Sequence, residues 1–379
     1  MALKLVAIGF YTPGTGLTRV VQSILRRLAD RHEIHYLGIG YSGEIVRDCG
    51  LTIYPTNSNG GDVFAAFQAA QLIEAIQPQL VFILHDIWMF EYYLRILGPY
   101  RDRLKIAVYI PLDGRITNER AAAALRDADR VVVYTEFARA EFLNAFARLG
   151  SGFPRVDVIP HGIDREKFFA VAGLRDPESF LVLNASRPDR RKRLDLTITG
   201  FARFAANKPA GVKLCLHHAF FGKREQEQIH SWIREFGIEG RVLVNPQGGG
   251  VREDAELNLL YNTCDVGINT SMGEGWGLVS FEHGATGAAQ IVPDHTACAE
   301  LWRGRGELIP VNRSYIPEFS VLEMGEVSAD GVAQALENLY CDADRRRALG
   351  EAARLAAVDP KYSWDAVARQ FEGVFEELA

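Results

Sequence analysis

Short β-branched, apolar runs alternate with stretches in which apolar residues recur at helical spacing, almost from end to end. In the first half the runs at 3–9, 33–38, 80–84, 105–110, 130–133 and 156–159 read as strands. In the second half the runs at 180–183, 212–216, 241–244, 266–269, 290–292 and 307–309 read the same way. Between them lie amphipathic segments such as 18–29, with Val20, Val21, Ile24, Leu25 and Leu28 on one face, and 194–206, 225–236 and 255–261. Strand–helix alternation predicts parallel sheets covered on both faces. The pattern restarts after Pro160-His161-Gly162 and a charged stretch to Pro177. The expected architecture is therefore α/β, with two doubly wound, Rossmann-like domains facing across a cleft. Their spans are 1–162 and 163–362. A last amphipathic helix within 363–379 carries Trp364, Val367, Phe371, Val374 and Phe375 at helical spacing.

Composition narrows the class. A chain of 379 residues with 48% hydrophobic and 24% charged residues suits two globular domains. A formal charge of −6 disfavours a nucleic-acid partner. Five scattered cysteines without a C-x-x-C pair fit a reducing cytoplasm better than a disulfide framework or a zinc site. The apolar start is short and leads into Thr12-Pro13-Gly14, which reads as a first strand rather than a signal peptide.

Three segments carry candidate chemistry. In Asn269-Thr-Ser-Met-Gly-Glu-Gly-Trp-Gly-Leu-Val-Ser-Phe-Glu282, a buried strand runs through glycines 273, 275 and 277 into a helix starting near Leu278. Such a turn lets backbone N–H groups and the helix N-terminus meet an anion. Glu274 and Glu282, taken alone, read as acids complementing the helix dipole. The second segment, Ser186-Arg-Pro-Asp-Arg-Arg-Lys-Arg-Leu-Asp195, holds five basic residues in seven at another strand–helix junction. A solvated turn is the ordinary reading of such a run. The third, Gly9-Phe-Tyr-Thr-Pro-Gly-Thr-Gly16, has Arg19 where a dinucleotide fingerprint needs a third small residue, which disfavours a dehydrogenase.

The Gly-Trp-Gly-Leu context changes the weighing. The E-x7-E pattern of Glu274 and Glu282 resembles that of retaining GT-B glycosyltransferases of family 4. The likeness extends to Val158-Ile-Pro-His-Gly-Ile-Asp164, to Tyr261-Asn-Thr-Cys-Asp-Val-Gly-Ile-Asn-Thr-Ser271 and to Tyr362-Ser-Trp-Asp365. By resemblance, Glu282 binds the nucleotide ribose and Glu274 lies beside the transferred sugar. The backbone of Gly275, Trp276, Gly277 and Leu278 surrounds sugar and phosphates, and the last helix crosses back onto the N-terminal domain. The family's Arg and Lys pair falls on Arg187 and Lys192, two cations for the departing diphosphate. Arg190, Arg191 and Arg193 are then expected in solvent. Gly14 and Gly16 are candidates near the diphosphate or acceptor.

One departure stands out. Where many members end a central strand with a sugar-contacting His, this chain reads Ile106-Ala-Val-Tyr-Ile-Pro-Leu-Asp113. Asp113 is the nearest polar candidate, His85-Asp86 competes with it, and His161 is expected to cap the hinge. The expectation is a metal-independent hexosyltransferase with no resident cofactor. Its donor is a nucleotide-sugar, GDP-mannose or a UDP-hexose, and its acceptor is a glycan, a lipid-linked or a small molecule. A GT-B epimerase, a phosphorylase and a non-catalytic nucleotide-sugar-binding partner of another transferase remain alternatives. The stretch Trp88, Tyr92, Tyr93, Ile96, Leu97 and Tyr100, followed by Arg101, Arg103 and Lys105, is a candidate patch for peripheral contact with the inner membrane face.

Overall fold

A computed structural model describes residues 2–56, 60–218, 222–245 and 250–379. The chain forms two compact units. The first runs to Gly162 and takes in Glu318–Leu322 and Lys361–Ala379; the second comprises Ile163–Pro317 and Glu323–Pro360.

The first unit begins with β1 (Lys4–Phe10), α1 (Gly16–Leu28), β2 (Glu33–Ile39), β3 (Val46–Asp48), β4 (Leu51–Tyr54) and α2 (Ala66–Ile76). It continues through β5 (Leu80–Leu84), α3 (Phe90–Leu97), β6 (Lys105–Ile110), β7 (Arg130–Val133), α4 (Glu136–Leu149) and β8 (Val156–Val158). The sheet order is β3-β4-β2-β1-β5-β6-β7-β8, parallel except for β3 with β4. Every residue of β5 is buried, as a strand covered on both faces requires. The apolar stripe of α1, Val20 to Leu28, is its buried face. The β3–β4 hairpin has no counterpart among the strands read from the sequence. Its turn is Cys49-Gly50, with φ of 47° and 80°. Two consecutive positive φ values belong to a type I′ turn, here without the usual Asn-Gly signal.

The second unit contains β9 (Phe180–Asn184), α5 (Leu194–Ala205), β10 (Val212–Leu216), α6 (Lys223–Glu235), β11 (Val242–Val244), α7 (Asp254–Thr263) and β12 (Val266–Ile268). There follow α8 (Leu278–Ala285), β13 (Ala289–Pro293), α9 (Thr296–Trp302), β14 (Glu307–Ile309), β15 (Val311–Tyr315), β16 (Met324–Val327), α10 (Ala329–Cys341) and α11 (Ala343–Ala357). Six parallel strands run in the order β11-β10-β9-β12-β13-β14, while β15 and β16 form a separate antiparallel pair. Strand order reverses between β9 and β12, and in the first unit between β1 and β5. At such a switch point the following loops diverge and leave a crevice at the carboxyl ends of the strands.

The last helix, α12 (Trp364–Leu378), belongs to the first unit. Phe371 and Phe375 lie 5.3 and 5.4 Å from the Phe82 ring, and Phe371 lies 4.8 Å from Tyr109. Trp364 covers Gly162 so closely that a Cβ there would come within 2.5 Å of the indole. The Pro-His-Gly and Tyr-Ser-Trp-Asp segments, 200 residues apart in the chain, thus meet in one core.

Candidate functional site

The loops after β9 and β12 flank the switch point of the second unit. After β9, the Asp189 side chain accepts the Lys192 N–H (3.2 Å) and caps one turn over Arg190–Lys192. Arg193 then takes a left-handed φ of 48°. The Thr270 hydroxyl donates to the Lys192 and Arg193 carbonyls (3.0 and 2.9 Å), and the Met272 N–H donates to the Arg191 carbonyl (2.8 Å). These bonds clip the basic loop onto the glycine-rich loop.

At their junction Lys192 Nζ meets Glu274 Oε1 at 2.5 Å, both side chains about nine-tenths buried. Asn269 Nδ2 donates to the same oxygen at 3.1 Å, and Arg191 reaches Glu274 Oε2 at 3.5 Å. Burial alone would raise the Glu274 carboxyl, but the Lys192 and Arg191 charges and the hydrogen bonds outweigh it and bring it to about 2. Burial, with Arg191 beside it, lowers the Lys192 ammonium, and Glu274 and Asp189 oppose that. The pair is ionised.

Gly277 has φ +90° at the cap of α8, a conformation that a side chain would strain. Trp276 is buried and turns inward against Phe281 at 5.2 Å. Gly275 is buried, Leu278 opens α8 half-buried, and Glu282 is buried within that helix. Arg187 stands apart. Its side chain is half exposed and pairs with Asp189 at 3.6 Å.

Two arginines assigned to solvent are not there. Arg191 donates to the Gly273 carbonyl as well as to Glu274, and Arg193 pairs with Asp195 (2.7 Å) and with buried Glu326. Only Arg190 is exposed as expected. The run shows five like charges, whereas Gly273, Glu274 and Glu326, which draw Arg191 and Arg193 inward, lie 80 or more residues away.

In the first unit, Gly14 has φ +76° and Gly16 opens α1. The loop is stitched by Thr18, whose hydroxyl donates to the Phe10 carbonyl and accepts the Thr12 N–H, each at 2.9 Å. Asp113 follows β6 half-buried; burial, with Asp86 and Asp113 nearby, raises the Tyr134 hydroxyl. His85 is fully buried among Phe10, Phe64, Trp88 and Tyr93, and burial takes it to about 4. His161 packs on Tyr134 at 3.9 Å and on Trp364 at 6.2 Å.

The proposed membrane patch is divided. Trp88 is exposed after the carboxyl end of β5, whereas Lys105 starts the neighbouring parallel strand β6 at the amino end of the sheet. Arg101, Arg103 and Lys105 are paired with Asp129, Glu74 and Asp129. Among the described residues no helix is long and apolar enough to cross a membrane, and no three His, Cys, Asp or Glu side chains are grouped as around a metal ion.

A sequence profile described as Glycosyltransferase Family 4 matches residues 14–167, and one described as Family 4 Glycosyltransferase in conflict systems matches residues 113–371. The chain belongs to glycosyltransferase family 4. It is 28% identical over 155 residues to the mannosylfructose-phosphate synthase of Agrobacterium fabrum, across 37% of this chain and 33% of that protein. The chain thus spans about a third of that relative's length. The fold is GT-B, shared with the sucrose-phosphate synthase of Thermosynechococcus elongatus (TM-score 0.78, 17% identity, 100% of this chain and 99% of that one). HepE of Anabaena, in complex with UDP-glucose, is also similar (TM-score 0.72, 16% identity, 99% and 100%).

Proposed function

We propose that this chain transfers a hexose, with retention, from a nucleoside diphosphate sugar to an acceptor hydroxyl. The observation that carries the reading is the buried, ionised Lys192–Glu274 pair beside the glycine-rich turn into α8, at the switch point where doubly wound folds bind ligands. The UDP-glucose held by HepE supports a nucleotide-sugar donor, and family membership supports transfer.

Lys192 has three donors, and one suffices for Glu274, so a departing diphosphate oxygen can take another. Arg187, with a half-exposed guanidinium at the rim, is the second cation. Gly275 to Leu278 offer backbone to sugar and phosphate, and Glu282 takes the ribose hydroxyls; Gly14 and Gly16 serve the diphosphate or the acceptor, and Asp113 the sugar. The bond from the anomeric carbon to phosphate oxygen breaks, and a bond from acceptor oxygen forms on the same face. The acceptor proton passes to the leaving phosphate. The site contributes positioning and charge neutralisation rather than a nucleophile. Lys192 and Arg187 meet the leaving charge, so turnover is expected to be unchanged by EDTA.

The test is thermal stability with GDP, UDP, ADP and dTDP, for the parent chain and Glu282→Ala. A nucleotide at 100 times its dissociation constant adds about 2.7 kcal/mol. Selective stabilisation by one nucleotide, lost in Glu282→Ala, supports the reading and names the donor's base. No shift with any of the four removes it. Sugar isomerised without any acceptor would point to the epimerase instead.

A further inference from the structure

Thr296 opens α9 with φ +50°. A β-branched residue in the left-handed region is an outlier, and such strain persists where the surroundings demand it. The ordinary occupant of this backbone would be glycine.

The surroundings show what the side chain does. The Thr296 hydroxyl accepts the Glu274 N–H at 3.3 Å, and the next residue, Ala297, donates its N–H to the Glu274 carbonyl at 3.3 Å. Both sides of Glu274 are thereby held by the start of α9, while Lys192 and Asn269 hold its carboxylate. The Thr296 hydroxyl also lies 3.1 Å from His295 Nδ1. The hydroxyl thus bridges the Glu274 amide and this ring nitrogen, with the His295 tautomer setting whether hydroxyl or ring nitrogen donates. Burial lowers the imidazole to about 4, so the ring packed beside the hydroxyl is neutral near pH 7. Gly325 fits against the ring with no room for a Cβ, which would stand 2.8 Å from His295 Cδ2. Ring, hydroxyl and amide therefore form one fixed relay.

We propose that Thr296 is a positioning residue for Glu274, kept in a strained backbone conformation because only its hydroxyl sets the Glu274 amide, with His295 orienting that hydroxyl. The catalytic part of this inference rests on the reading of Glu274 given above; the positioning part does not.

The discriminating substitution is Thr296→Gly, which removes the hydroxyl and relieves the backbone strain together. A merely structural threonine would lose stability and activity in parallel. The experiment is amide hydrogen exchange on the peptide 269–278 of the whole chain, alongside melting temperature, for Thr296→Gly, Thr296→Ala and Thr296→Ser. Exchange is expected to rise about tenfold locally in the Gly and Ala variants and to stay near the parent rate in Ser. The Gly variant is expected to keep its melting temperature to within about two degrees, because relieved strain offsets the added freedom of the unfolded chain. Unchanged exchange in Thr296→Gly overturns the proposal, and so does faster exchange throughout the second unit.

Turnover of UDP-glucose and GDP-mannose completes the test. Thr296→Gly should lower kcat about tenfold with donor KM unchanged, and Thr296→Ser should restore it. Undiminished turnover in Glu274→Gln would overturn the catalytic reading of the site while leaving the local exchange result to decide the positioning.

Discussion

Lys192 and Glu274 show how far a residue's chemistry depends on neighbours that are remote in sequence. Either charge, buried alone, would be strongly unfavourable; together, with Asn269 and Arg191 bonding the carboxylate, they form an anchored ion pair. Removing one partner leaves the other buried and uncompensated. Lys192→Met is therefore expected to cost about 3–5 kcal/mol in urea unfolding, with turnover falling well beyond what the stability loss explains. The pH dependence follows from the depressed Glu274 carboxyl, at about 2 in the folded chain. An unfolded glutamate titrates near ~4.3, so this contribution is complete above that pH and is lost as pH falls toward the folded value. In Lys192→Met the acid-unfolding midpoint should move to higher pH, as read by circular dichroism. Arg191 could not be placed from sequence, since its acceptors, the Gly273 carbonyl and Glu274, come from the opposite loop.

Among the elements, the central strands and long helices were legible because each carries its own burial pattern. The near-continuous apolar runs of β5 and β6 announce strands covered on both faces. The stripe of α12 was equally clear, and the family resemblance put the helix on the N-terminal domain, but the side chains it meets there were not legible. Its Phe371 and Phe375 fill a site made by Phe82 and Tyr109 from two different strands. Phe371→Ala should destabilise by about 3–5 kcal/mol in urea unfolding. Gly162→Ala forces a methyl into the Trp364 ring and is expected to cost about 1–3 kcal/mol by the same measurement. The β3–β4 and β15–β16 pairs escaped the sequence reading because β3 and β15 are largely exposed and their partners β4 and β16 are only four residues long, too short for a clear periodicity.

For the whole molecule, burial of imidazoles sets the acid side of stability. His161 and His283 lie at about 3, and His85, His217, His218 and His295 at about 4, in each case chiefly through burial. Below the unfolded value near ~6.5 the unfolded chain binds protons that the folded chain refuses. Stability should therefore decline as pH falls from about 6.5 toward 4, measurable as a falling urea midpoint; a flat midpoint over that range would contradict the burial of these rings.

By itself the sequence determined the α/β class, the restart of the strand–helix pattern and the glycine-rich turn with its two glutamates. These are written in local periodicity and in the backbone needs of single residues. Only the tertiary structure decided that Lys192 faces Glu274, that Arg191 and Arg193 fold inward, and that Thr296 is held at positive φ beneath the Glu274 amide. Charge pairing and buried hydrogen bonds act between loops some 80 residues apart in one case and 22 in the other. The order in which strands enter the sheet brings those loops together, and no local window of sequence contains that order.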